Sequence, residues 1–152
     1  MPILFLDFDG VLHPATPRRD RPAPESRKFS YLPRLESALR EHDDWQIVIT
    51  TSWREHQPWE FLLHPFAQDI ASRVVGKTPL LRWKEPPHPR HPRFEEISLY
   101  LASLSEEESS WLALDDDSRL YPAACPQLVL CDDGFRDAEE RALRHALSMH
   151  KG

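Results

Sequence analysis

Apolar positions in this chain switch repeatedly between two periods. Short apolar runs, several of them ending in acids or hydroxyls, alternate with stretches whose apolar residues stand three and four apart. Leu4, Phe5 and Leu6 form the first run, which reads as a buried strand with Asp7, Phe8, Asp9 and Gly10 directly behind it. Leu32, Leu35 and Leu39 keep a helical stripe, and Pro33 suits the first position of a helix over 33–42. A β-branched second strand over 46–49 ends in Thr50, Thr51 and Ser52. Trp59, Leu62, Leu63, Phe66 and Ile70 predict one or two helices, and 74–76 a short third strand. After an irregular stretch, Phe94, Ile97, Leu101 and Leu104 mark a helix over 92–104, with Glu95 and Glu96 in its favourable first turn.

A polar connection over 105–110 leads to a strand over 111–114, and Asp115, Asp116 and Asp117 crowd its end. The shape then repeats, with a strand over 127–131 followed by Asp132, Asp133 and Gly134. A closing helix over 137–150 would turn Ala138, Ala142, Leu143, Ala146 and Leu147 inward, with Asp137 as N-cap and Glu140 as its capping-box partner. Strands alternating with helices predict an α/β fold, a mainly parallel sheet with helices on both faces.

At 152 residues the chain suits one domain, 1–152, with one core. A net charge of -6 argues against a general nucleic-acid binder, although a local basic patch could still take a nucleic-acid end as substrate. Cys125 and Cys131 form neither a disulfide framework nor a zinc spacing, which makes a reduced cytoplasm the expected location. Met1 leads directly into a strand and no apolar run reaches membrane-spanning length, so neither a signal peptide nor a membrane partner is expected. Prolines number 15 against only 4 glycines, so the proline-rich stretches read as semi-rigid loops. One of them, 13–28, carries Arg18, Arg19, Arg21, Arg27 and Lys28. It reads either as a solvated excursion or as a flap that meets an anionic substrate.

Acids at the carboxyl ends of strands have a chemical use, because open α/β sheets bind ligands there. Two carboxylates sharing a pocket can hold a hard cation or divide a reaction between nucleophile and proton carrier. Three adjacent acids at 115–117 repel one another, and a metal site is the simplest reason to keep them. Hydroxyls at the end of the second strand are placed to bind phosphate oxygens, and Arg54 stands near enough to reach an anion.

The stretch FLDFDGVL, residues 5–12, resembles the first motif of the haloacid dehalogenase (HAD)-like phosphatase superfamily. IVITTSWR and the RFEEI helix are similar to the small phosphatase-like domains also found in RNA-repair proteins. The resemblance implies a Rossmann-like three-layer α/β/α fold without a large cap domain. It implies that Asp7 attacks phosphorus as nucleophile and that Asp9 is the general acid and base. Asp115 and Asp116 would be the late acid pair, and magnesium would be held by Asp7, the backbone carbonyl of Asp9, and Asp116, with Asp115 beside it. Thr50 or Thr51 would bind the phosphoryl group together with a basic residue, of which Arg93 fits best and Lys77 and Lys84 are alternatives. The substrate would be a phosphomonoester, such as a nucleotide or a polynucleotide end. Asp132 and Asp133 would lie on an outer strand, away from the metal. Two other readings use the same pattern: a phosphate-accepting receiver-like signalling domain, and a catalytically idle binding domain that keeps the fold.

Overall fold

A computed structural model describes residues 1–104 and 110–150 of the chain. The polar connection expected over 105–110 therefore lies, save for Ser110, outside the described residues. In chain order the elements are β1 (Ile3–Leu6), α1 (Leu32–Arg40), β2 (Gln46–Ile49), α2 (Trp59–Leu63), α3 (Gln68–Ala71), β3 (Val74–Lys77), α4 (Pro92–Ala102), β4 (Trp111–Asp115), β5 (Leu128–Leu130) and α5 (Asp137–Met149). The five strands make one all-parallel sheet in the order β3-β2-β1-β4-β5. The first strand is thus central, with β2 and β4 as its neighbours.

A parallel sheet needs both faces covered, and the alternation along each strand divides the core in two. Leu4 and Leu6 of β1, Ile47 and Ile49 of β2, and Leu112 and Leu114 of β4 point to one side, where they meet Leu35 and Leu39 of α1 and Leu143 and Leu147 of α5. Ile3, Phe5, Val48 and Ala113 point to the other, where Ile97 of α4 is buried against them. This is the three-layer α/β/α arrangement expected. No helix among the described residues is long and apolar enough to cross a membrane.

The closing helix departs from expectation in its phase. Its N-cap is Arg136, not Asp137, and the capping acid is Glu139, not Glu140: Glu139 accepts the backbone N–H of Arg136 at 3.1 Å and that of Asp132 at 3.0 Å. Arg136 still has extended backbone, so the first turn is set one residue earlier. Leu143 and Leu147 are buried as expected, whereas Ala138 and Ala142 face solvent and Glu139 takes the inward position. A bidentate acid serving two backbone donors outweighs the burial of two methyl groups.

Candidate active site

Strand register builds the site. Leu6 stands beside Ile49 on one flank and beside Leu114 on the other. One residue further, Asp7, Thr50 and Asp115 stand abreast at the carboxyl ends of β1, β2 and β4. They follow Phe5, Val48 and Ala113 by two residues each, so they project from the same face, the one covered by α4. Asp7 donates its backbone N–H to Leu114, and Thr50 donates to Leu6, which locks the three strand ends together. All three residues are buried.

Asp116 completes the group. One carboxylate oxygen each from Asp7, Asp115 and Asp116 lies within 4.8 Å of the others. Gly10 makes room for it: at φ +78° the chain turns out of the first strand, and a Cβ there would stand 2.1 Å from Asp116 Oδ2. Burial, and then the charge of Asp115, push the Asp7 carboxyl well above its ordinary range, and Arg93 only partly offsets this. Burial likewise raises Asp115. Asp116 is pushed up to about 7, by burial and by Asp115. Two buried acids and a more exposed third, whose charges repel, make a set of hard oxygen donors, which fits a small divalent cation of the magnesium type. Asp117 is not part of the group, because its carboxylate is taken by the backbone N–H and guanidinium of Arg119.

The partners of these acids are few. Asp7 Oδ1 accepts the Phe8 N–H at 2.9 Å. Asp115 Oδ1 accepts the Asp117 N–H at 3.1 Å and Oδ2 the Tyr121 hydroxyl at 3.1 Å, and Arg93 Nε stands 3.6 Å from Oδ2. Tyr121 is a site residue that no sequence pattern marks. Two buried donors beside the acids have no hydrogen-bond partner, Thr50 Oγ1 and Arg93 Nε. Buried polar atoms rarely stay unpaired without a reason. The Thr51 hydroxyl, by contrast, is occupied in accepting the Trp53 N–H. Lys77 ends the edge strand β3, two strands from Asp7. Lys84 lines a cavity of about 610 Å³ that Arg93 and Trp83 also line. Of the three candidate cations, Arg93 is the one beside the acids.

Arg54 does not reach toward an anion. It donates to the carbonyls of Thr50, Thr51, Thr78 and Pro79 and pairs with Glu96 at 2.9 Å. It is the girder that shapes the ends of β2 and β3. Glu96, expected to serve the helix dipole, is instead fully buried and also binds Arg93 Nη1, the Leu81 N–H and the Trp83 indole. Glu95 does the capping, by accepting the His91 N–H.

Asp9 is not part of the group that the other three carboxylates form. Its two oxygens are held by His13 Nε2 at 2.8 Å and Trp53 Nε1 at 2.9 Å. Neither residue stands out in the sequence: His13 opens a polar loop, and Trp53 reads as core. The loop over 13–28 is pinned rather than free. Arg21 donates to the carbonyls of Asp132 and Asp133, and Asp133 accepts Arg18 and the Ala15 N–H. Asp132 and Asp133 thus lie outside the acid group, on the far side of β4 from β1.

No curated protein and no solved structure matches the chain significantly. A family model does, that of the HAD domain in Swiss Army Knife RNA repair proteins, over residues 3–139. The match spans every residue of the acid group, and the chain belongs to that family.

Proposed function

We propose that this protein is a magnesium-dependent phosphohydrolase that cleaves phosphoric monoesters through an aspartyl-phosphate. One observation carries the reading: two buried donors without a hydrogen bond, Thr50 Oγ1 and Arg93 Nε, stand beside three converging carboxylates. Acids and anion donors together suit a substrate that is itself an anion bound through a cation.

The chemistry needs two displacements. The Phe8 N–H holds Asp7 Oδ1, so the other oxygen is the one presented to phosphorus. As the Asp7 oxygen–phosphorus bond forms, the bond from phosphorus to the leaving oxygen breaks, and Asp9 gives that oxygen its proton. Asp9 then takes a proton from water, whose oxygen attacks phosphorus. The Asp7–phosphorus bond breaks, releasing inorganic phosphate and restoring the Asp7 carboxylate. Thr50 and Arg93 donate to the phosphoryl oxygens as charge shifts among them. Asp7, Asp116 and the Asp9 carbonyl would hold magnesium, with Asp115 beside it, and the bound ion neutralises phosphoryl charge and orients the group.

The substrate reading is a nucleotide or polynucleotide end, in keeping with the family's description. The test is turnover of p-nitrophenyl phosphate with magnesium, abolished by chelation, followed by a panel of nucleotides and 5′- and 3′-phosphorylated oligonucleotides. A chain that takes up phosphate without releasing it would be receiver-like. A chain that neither takes it up nor hydrolyses it would be an idle binding domain.

A further inference from the structure

We infer that His13 is a positioning residue for Asp9, acting with Trp53 as a two-point clamp on that carboxylate. The inference rests on the reading of Asp9 as proton carrier and adds the residues that aim it.

The clamp is built from the turn after β1. His13 lies four residues beyond Asp9, and Gly10 N–H donates to the His13 carbonyl at 2.8 Å, which folds the chain back so that the imidazole faces Asp9. His13 is buried at 1 % exposure, whereas the Asp9 side chain is 41 % exposed. A carboxylate this open would ordinarily sample several rotamers. Here Oδ1 meets His13 Nε2 and Oδ2 meets Trp53 Nε1, so rotation about both side-chain torsions is blocked. Each oxygen accepts one bond and keeps a lone pair for proton exchange with substrate or water.

The other side of the imidazole determines what His13 does. The Phe29 N–H donates to His13 Nδ1 at 3.1 Å. A ring nitrogen that accepts carries no proton, so the proton of the neutral ring is on Nε2, aimed at Asp9. Phe29 has φ +62°, a left-handed conformation unusual for a bulky residue. Strain of this kind persists where surrounding structure holds it, and it clusters at functional sites. The Phe29 ring packs edge-on against His13, Phe8 and Trp53, which shields the imidazole while the Asp9 carboxylate stays open to solvent. Trp53 is itself set by the β2 exit, where its N–H meets Thr51 Oγ1, and Lys28 lies over its ring. The proline- and arginine-rich loop therefore serves the clamp directly. It carries Phe29 and Lys28 to it, and Arg21 and Arg18 anchor the loop to 132–133.

The experiment pairs two substitutions that differ in one hydrogen bond. His13→Gln keeps an N–H where Nε2 was and can still donate to Asp9. His13→Asn keeps the acceptor for Phe29 but cannot reach Asp9. Both are measured as kcat/KM with magnesium on phenyl phosphate, whose leaving group needs a proton, and on p-nitrophenyl phosphate, whose leaving group needs it less. This quantity covers only the first displacement. His13→Asn is expected to lose about 10–100-fold on phenyl phosphate and under about 3-fold on p-nitrophenyl phosphate, a fraction of full general-acid catalysis. His13→Gln and, in the opposite sense, Trp53→Phe follow the hydrogen bond: the first recovers most of the phenyl phosphate rate, and the second loses it. Equal losses on both substrates, or no rescue by glutamine, overturn the inference. Nitrogen-15 NMR of the wild-type imidazole tests the clamp independently of turnover, with Nε2–H expected and Nδ1–H overturning it. Absence of wild-type turnover would sink the hydrolase reading, and the clamp would still be decided by the tautomer.

Discussion

Asp115-Asp116 and Asp132-Asp133 are nearly the same local sequence, two acids closing a short parallel strand, and the fold uses them in opposite ways. β4 lies against β1, so its acids meet Asp7. β5 lies one strand further out, so its acids meet the 13–28 loop. Asp133 is answered by Arg18 and the Ala15 N–H, and the carbonyls of both residues are answered by Arg21. Asp115 has Tyr121, the Asp117 N–H and a more distant Arg93, and Asp116 has no cationic partner among the described residues, only the carboxylates of Asp7 and Asp115 within 4.8 Å. An acid pair whose charge the protein answers is a structural tie. One left in mutual repulsion is ready for a cation from outside.

The sharpest break of this contrast is at the residue that β1 lends to the β4 side. Asp7→Asn, nearly the same shape and a poor nucleophile, is expected to lower p-nitrophenyl phosphate turnover by about 10⁴-fold or more with the fold intact. Retention of even a few hundredths of the wild-type rate would contradict the covalent route. Asp9→Asn comes next, with a loss of about 10²–10⁴-fold on phenyl phosphate and a smaller one on p-nitrophenyl phosphate. Parallel losses on the two esters would remove Asp9 from the acid role.

Magnesium titrations then set the two pairs directly against each other. Asp116→Asn should raise the magnesium needed for half-maximal turnover by about 10-fold or more. Asp132→Asn and Asp133→Asn should leave it within about 2-fold, a surface-substitution scale of effect. The reverse result would move the metal to the β5 side and overturn the assignment.

Stability should shift by the smallest amounts and with opposite signs. The fold raises the Asp116 pKa from its ordinary value to about 7, so Asp116 favours the folded state at low pH and loses that contribution as pH rises through 7. In magnesium-free protein at pH 8, Asp116→Asn should therefore stabilise, by about 1 kcal/mol after allowance for the solvent around a partly exposed acid. The gain should fade toward pH 4. Asp133→Ala should destabilise by about 1 kcal/mol, since it removes bonds to Ala15 and Arg18 and leaves a non-glycine residue at φ +54°. Denaturant melts at the two pH values check both signs.

Much of this was legible along the chain. Alternation within β1 already puts Asp7 on the face of Phe5, because a strand repeats every two residues whatever surrounds it. The same local rule places Thr50 with Val48 and Asp115 with Ala113. The stripe of Leu32, Leu35 and Leu39, the order of strands and helices, and the parallel sheet also follow from periodicity and are observed. So is the family, since its motif is a contiguous run that needs no partner to be recognised.

What required the tertiary structure is whatever depends on a neighbour from a distant part of the sequence. Thr50 and Thr51 are equivalent in a strand-end pattern, and only the pairing of Leu6 with Ile49 shows which hydroxyl stands abreast of Asp7. Arg54 and Arg93 are both arginines near a site. Four backbone carbonyls surround one of them, and three acids surround the other, with Glu96 shared between them. Trp53, from the turn after β2, meets Asp9, in the turn after β1, across a separation of 44 residues, and joins His13 there. The phase of α5 was decided by a bidentate Glu139 linking Arg136 to Asp132, not by its apolar stripe. Periodicity is a property of the local backbone and is written in the sequence; which charges are answered, and by what, is a property of packing in three dimensions.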